Sequence, residues 1–339
     1  LALLSGLLSG AVITLFRLAI ELPLVSWLPM TSPEAYETLP VNWRIALLLG
    51  GGVLLIALFY CVKPTKRGVG VTHVLQRMER HQGYLPRSNL ILQWVAAVIA
   101  IVSGHSVGRE GPAIHMGAGT ASLIGQRAGL AHHRLRILAG CGVASAISAS
   151  FNTPMAGVIF AMEVVLLEYS IRGFIPIILA SVTGAIVSRA VFGHETAFNV
   201  PALNFHSLWE IPYILLLGLA AGLVSTVFIY GVKIFQKLIN LPLWMRWGSL
   251  TLATAAISIY LPEVLGIGYD TVNATLAGEV VISTVLLLLA AKLLLAAWAA
   301  GVAFPAGIIG PTLFIGAALG GLMGQLSAWW FPEYPISVG

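Results

Sequence analysis

The sequence predicts an all-α, polytopic membrane protein, and three observations predict it. Of the 339 residues, 58% are hydrophobic and only 9% are charged, where a soluble domain carries roughly 25% charged residues. Apolar runs at 1–20, 43–62, 88–103, 172–192, 211–232, 247–261 and 280–300 approach or reach the ~20 residues that cross a hydrocarbon core as a helix. Glycine-rich motifs recur at a fixed long offset, as expected of a chain built from two structural repeats.

The first span, 1–20, carries Gly6 and Gly10, a small-residue spacing that lets helices approach closely. The 21–42 connection holds Glu21, Glu34 and Glu37 and no lysine or arginine. After the second span, Lys63, Lys66, Arg67, Arg77, Arg80 and Arg87 crowd one connection, and Arg127, Arg134 and Arg136 another. The positive-inside rule therefore puts 63–87 in the cytoplasm and 21–42 outside. The net charge of +5 belongs to these membrane-flanking loops, so no nucleic-acid partner is expected. Gly68-Val-Gly-Val-Thr-His-Val74 reads as a glycine-rich helix start, followed by a polar stretch to Arg87.

Between the 88–103 span and a short helix ending near Gln126 lies Gly104-His-Ser-Val-Gly-Arg-Glu-Gly-Pro112. Ionisable residues at membrane depth mark a substrate or ion path. Pro112 fits a first helical turn, and the bare amides before it make an anion site at the positive helix end. Glu110 is there a built-in competing anion. An ion pair with Arg109 is disfavoured as its role, because adjacent helical positions do not face each other.

Farther on, 127–136 reads as a basic loop in which His132 and His133 are solvated. Residues 137–150 suit a tightly packed helix, broken at Phe151-Asn-Thr-Pro154 and resuming from Met155 to Glu168. Trp244, Trp247, Trp329 and Trp330 suit interfacial belts. Cys61 and Cys141 offer neither a disulfide framework nor metal-ligand spacing, and no metal or cofactor is expected.

The repeat is read from two motif pairs. Gly108-Arg-Glu-Gly-Pro112 is echoed by Gly307-Ile-Ile-Gly-Pro311 at an offset of 199, with Gly117 and Gly125 matching Gly316 and Gly324. Gly68-Val-Gly70 and Val74 are echoed by Gly266-Ile-Gly268 and Val272 at 198. The halves are placed at 1–195 and 196–339, with the glycine-rich starts at 68, 108 and 307 converging near the midplane, as in repeat transporters. No cleavable signal peptide is visible. The chain begins inside an apolar helix without a methionine, and the second repeat is short by about 50 residues on the offset, so further segments are expected at both ends.

These residues resemble the CLC family of chloride channels and proton-coupled chloride antiporters. The Gly108–Pro112 stretch is similar to the family motif that carries the gating glutamate. The Gly307–Pro311 stretch matches a second, with Ile309 for phenylalanine. Phe151-Asn-Thr-Pro-Met-Ala-Gly157 followed by Glu163 is similar to the helix pair leading to the inner glutamate region. The resemblance implies an inverted repeat of broken, tilted helices in a prokaryotic inner or plasma membrane, in contact with lipid. It also implies a homodimer with a chloride path, and in the antiporters a proton path, in each subunit. Carried onto matching positions, it makes Glu110 the gate. Val69, Gly70, Arg109, Glu110, Gly111, Ile308 and Ile309 then line the anion path, mainly through backbone amides.

Three departures from the family pattern bear on mechanism. Val69 stands where a serine hydroxyl normally meets the anion, and Thr72 where proline is usual. Val164, after Glu163, stands where antiporters carry the inner proton-transfer carboxylate. The pore tyrosine of the last helix would fall beyond Gly339. The expectation is thus a chloride channel gated by Glu110. A proton-coupled chloride or fluoride antiporter is the alternative, with Glu163 and Glu168 as candidate inner proton sites; Glu163 is otherwise expected in a polar network near the inner mouth. A remote reading, an intramembrane serine hydrolase, comes from Gly104-His-Ser-Val-Gly108, which fits G-x-S-x-G without that motif's strand–turn–helix context.

Overall fold

A computed structural model describes residues 1–167, 171–194, 198 and 210–330, with backbone alone at 171–172 and 328–330. The described chain is a bundle of helices: α1 (Ala2–Ser26), α2 (Val41–Cys61), α3 (Gly70–Arg80), α4 (Arg87–Val102), α5 (Glu110–Arg127), α6 (His132–Phe151), α7 (Pro154–Phe160), α8 (Ile171–Phe192), α9 (Glu210–Gln236), α10 (Leu243–Tyr260), α11 (Tyr269–Leu276), α12 (Ile282–Gly301) and α13 (Ile309–Trp330). Six are long and apolar enough to cross a membrane.

Small residues decide which helices touch. A Cβ on Gly6 would lie 2.6 Å from Ala180 O, and one on Gly10 2.9 Å from Gly184 Cα, so α1 and α8 pack backbone to backbone. At the α5–α6 crossing a Cβ on Gly117 would sit 2.3 Å from Gly142 O, and one on Gly142 2.1 Å from Gly117 O. Hydroxyls bond across these seams: Ser9 Oγ donates to Gly117 O at 3.2 Å and Ser145 Oγ to Gly6 O at 2.8 Å. Lipid supplies no hydrophobic drive between helices, so close packing and such bonds hold the bundle.

Breaks fall at residues suited to them. Helix α6 ends on Asn152 in the left-handed region (φ 60°), a conformation asparagine tolerates, and Pro154 opens α7 at a position that needs no N–H.

Several sequence expectations are corrected. Helix α1 runs past residue 20 to Ser26, because Glu21 is paired at 2.5 Å with Arg17, one turn back. The basic loop closes earlier than read from sequence: His132 and His133 are the exposed first residues of α6 rather than loop residues. The helix from Met155 to Glu168 is instead α7 followed by a π-helical segment, Ala161–Leu166, ending on Leu167 at φ 54°; Glu168 lies outside the described residues. Trp247 is no belt residue. It is 1% exposed, its Nε1 donates to Val302 O at 3.1 Å, and it packs edge-on against Phe59 and Phe304. Trp244 is exposed, while the side chains of Trp329 and Trp330, and the half boundary at 195, lie outside the described residues.

Candidate functional site: a buried carboxylate between two helix starts

Two equivalent loops build the site, one from α4 to α5 and one from α12 to α13. In the first, His105 N bonds Ala100 O and Val107 N bonds His105 O; in the second, Phe304 N bonds Ala299 O and Ala306 N bonds Phe304 O. Every pair repeats at the offset of 199 read from sequence. Even the left-handed residue recurs, as Gly104 (φ 85°) in the first and Ala303 (φ 51°) in the second.

The loops join at Gly108 and Gly307, which exchange both backbone bonds: Gly108 N to Gly307 O at 2.7 Å and Gly307 N to Gly108 O at 2.8 Å. Glycine is required by approach rather than by φ. A Cβ on Gly307 would lie 2.7 Å from Gly111 N and 2.8 Å from Gly108 O, and one on Gly111 2.8 Å from Gly307 Cα. The starts of α5 and α13 are thereby brought face to face. The first four N–H groups of each helix have no acceptor within it, so the amides of Glu110, Gly111 and Ile309 are orphan donors, and Pro112 has none to leave unpaired.

Glu110, 1% exposed, fills the space between these starts. Its Oε2 accepts from Gly310 N at 3.0 Å, in the first turn of α13, and its Oε1 accepts from the Tyr269 hydroxyl. Arg109 Nε lies 4.0 Å from the same Oε1. That proximity corrects the helical-neighbour argument: Arg109, the N-cap of α5, already has helical dihedrals (φ −90°, ψ −16°), yet its long side chain reaches the neighbouring carboxylate. The Arg109 guanidinium is shared, 3.4 Å from Glu21 Oε1 and 5.3 Å above the Tyr269 ring.

The third helix start is tied in by a side chain the sequence reading passed over. Gly70 N donates to Gln93 Oε1 at 2.5 Å, and Gln93 Nε2 donates to Pro305 O at 3.1 Å. Gln93 is fully buried and bridges α3 to the α12–α13 loop. The Gly70 amide, expected to be open to an anion, is thus occupied by an amide oxygen. Val69, the N-cap of α3, packs against the apolar core. Ile308 is 40% exposed and Ile309 packs with the apolar cluster of the first half.

On the π-helical segment, Glu163 is exposed and has no polar partner among the described residues, so the expected polar network is not found there; Val164 is exposed beside it. Ser106 is buried with its hydroxyl unpartnered, while neighbouring His105 bonds Ser103 Oγ at 2.9 Å and Thr251 Oγ1 at 3.0 Å. Among the described residues no base bonds Ser106 Oγ. Two further polar features lay unread in the sequence. Lys292, fully buried in α12, donates to Val264 O at 3.1 Å and Gly266 O at 3.0 Å. His73 Nδ1 and His115 Nε2 lie 2.9 Å apart between α3 and α5. A lone cation inside an apolar run was a usable signal for Lys292; Tyr269 and Gln93 had none.

The family described as voltage gated chloride channel matches residues 51–339. A putative chloride channel protein, ClcB-like, from Ralstonia nicotianae is 32% identical over 299 residues, spanning 85% of this chain and 69% of that protein. The H(+)/Cl(-) exchange transporter ClcA of Vibrio cholerae is 26% identical over 351 residues, spanning 100% of this chain and 75% of that protein. Among solved structures, a CLC-type fluoride/proton antiporter superposes with TM-score 0.78 at 23% identity, covering 99% of this chain and 82% of that one. A slow cyanobacterial Cl-/H+ antiporter does so with TM-score 0.77 at 22% identity, covering 98% and 80%. Those two likenesses establish the fold.

Proposed function

Because the chain belongs to the voltage-gated chloride channel (CLC) family, a family of multi-pass membrane proteins that transport chloride, we propose that it conducts chloride along a path gated by Glu110. The observation that carries this reading is the Glu110 carboxylate on Gly310 N, 3.0 Å away, at the start of α13. A helix N-terminus favours a negative group, and here the negative group is a side chain able to leave. While seated, it takes the amide a chloride ion would take and repels the ion by its charge. Once it swings away, Gly310 N and the orphan amides of Glu110, Gly111 and Ile309 are open together to an anion. The Arg109 guanidinium, 4.0 Å from the seated carboxylate, keeps the seat positive after the gate leaves. Val69 has no hydroxyl to offer and Gln93 covers Gly70 N, so selectivity rests on size and on the backbone amides at the starts of α5 and α13. Small anions, fluoride included, are candidates alongside chloride.

The flux is read as uncoupled, because Val164 offers no titratable group at the inner position. Proton-coupled antiport is the second reading. It draws on the 26% identity to an H(+)/Cl(-) exchange transporter and on Glu163 and Glu168 as alternative inner proton sites. Glu110→Ala in liposomes tests the gate. Chloride flux is expected to persist and to lose its dependence on external pH. A folded variant without flux, or one with the original pH dependence, would overturn the assignment.

A further inference from the structure

Building on the reading of Glu110 as gate, we propose that Tyr269 is a positioning residue that latches the gate shut, and that Glu34 in the outer loop holds the latch. Tyr269 is the first residue of α11 and is 4% exposed. Its two polar ends face two carboxylates. The hydroxyl donates to Glu110 Oε1, and the backbone N–H donates to Glu34 Oε2. One residue therefore spans from the loop between α1 and α2 to the seat between α5 and α13.

The ring between those ends has little freedom. Arg109 lies 5.3 Å over it, Phe198 meets it edge-on at 4.8 Å between centroids, and Phe151 stands at 6.5 Å. The turn leading into α11 is clamped as well. Lys292 holds Val264 O and Gly266 O, and Gly266 N bonds Gly104 O at 3.1 Å. A hydroxyl held this firmly cannot follow the carboxylate when it swings away, so opening breaks the bond rather than dragging the tyrosine along.

Glu34 is positioned by charge and by hydrogen bonding. Arg109 from the start of α5 and Lys292 from α12 attract it, and Asp270 from α11 repels it. Asp270 is itself bonded by Ser32 Oγ at 2.5 Å. Glu21 of α1 and Tyr36 line the same hollow. Glu34 thus acts on the gate through Tyr269 and does not touch it.

The test is chloride flux from liposomes across a pH series, on the wild type, Tyr269→Phe, Glu34→Ala, Glu110→Ala and the double variant Tyr269→Phe/Glu110→Ala. Losing one hydrogen bond to a charged group is expected to raise Tyr269→Phe flux by about tenfold near neutral pH. At the acid end of the series, wild type and Tyr269→Phe are expected to converge. Glu34→Ala should shift flux in the same direction by less. In the Glu110→Ala background the tyrosine substitution should change nothing, an outcome that a general packing role for Tyr269 would not give. Wild-type flux and pH profile in Tyr269→Phe, with Glu110→Ala behaving as a gate variant, would overturn the latch alone. An equal effect of Tyr269→Phe with and without Glu110 would overturn it too. Wild-type behaviour of Glu110→Ala would overturn the gate reading beneath it.

Discussion

Replacing Gly307 by alanine should damage the protein out of proportion to one methyl group. The added Cβ would lie 2.7 Å from Gly111 N, 2.8 Å from Gly108 O and 3.2 Å from Gly108 C. All three are backbone atoms, so no flexible side-chain end can yield and the two loops must part. Overpacking of that kind costs about 1–3 kcal/mol. Parting also strains the two bonds exchanged by Gly108 and Gly307, each worth roughly 1 kcal/mol net. The expected loss is about 2–5 kcal/mol, which at roughly 2–4 °C per kcal/mol lowers the melting temperature in detergent by ~4–20 °C. Separating α13 from α5 also takes Gly310 N from the gate, so flux should lose its pH dependence. The matched control is Gly316→Ala. That position corresponds to Gly117 in the repeat, but its Cβ would meet nothing within 4 Å, and alanine in a helix interior gains up to ~1 kcal/mol. A Gly307→Ala protein melting with the wild type, or a Gly316→Ala protein equally damaged, would refute the reasoning.

Two other outcomes are expected. Burial raises the Glu34 carboxyl to about 7, with Asp270 adding to the rise and Arg109, the Tyr269 N–H and Lys292 opposing it. A raised carboxyl favours the folded state when protonated, so its contribution is full below about pH 4.5 and is lost as pH rises through about 7; melting curves of Glu34→Gln should match the wild type in acid and exceed it at mildly alkaline pH, and an unchanged difference across the series would contradict this. Lys292→Met should leave Val264 O and Gly266 O without their buried donor, at about 1–3 kcal/mol, and raise neutral-pH flux as the turn before Tyr269 loosens; a stable variant with wild-type flux would count against the clamp.

What the sequence revealed was local or periodic. Apolar runs located five of the six membrane-length helices among the described residues; α13, interrupted by glycines, was not among them. The runs at 88–103 and 247–261 fold as the helices α4 and α10, which are not among the six. The offset of 199 pointed to Gly108 and Gly307 before their backbones were seen to bond, and the charge between glycines singled out Glu110. What it concealed depended on partners far along the chain. Glu21 reads as a loop acid until Arg109 is placed beside it. Trp247 reads as an interfacial aromatic until α10 is packed on α2. Gln93 and Tyr269 are ordinary residues in their own segments and matter through Pro305, Gly70, Glu34 and Glu110, at separations of 23 to 235 positions. The π-helical turn at Ala161–Leu166 had no signature, since hydropathy has the same pattern in either helix.

The central claim, an uncoupled chloride path gated by Glu110, is tested most directly by recording chloride efflux and internal pH together in liposomes under an imposed chloride gradient. Chloride movement with no accompanying proton movement is the expected result, and it would leave Val164→Glu as the substitution to examine for restored coupling. Uphill proton movement driven by chloride would contradict the uncoupled reading and turn attention to Glu163 and Glu168; no flux of any halide would contradict the anion path itself.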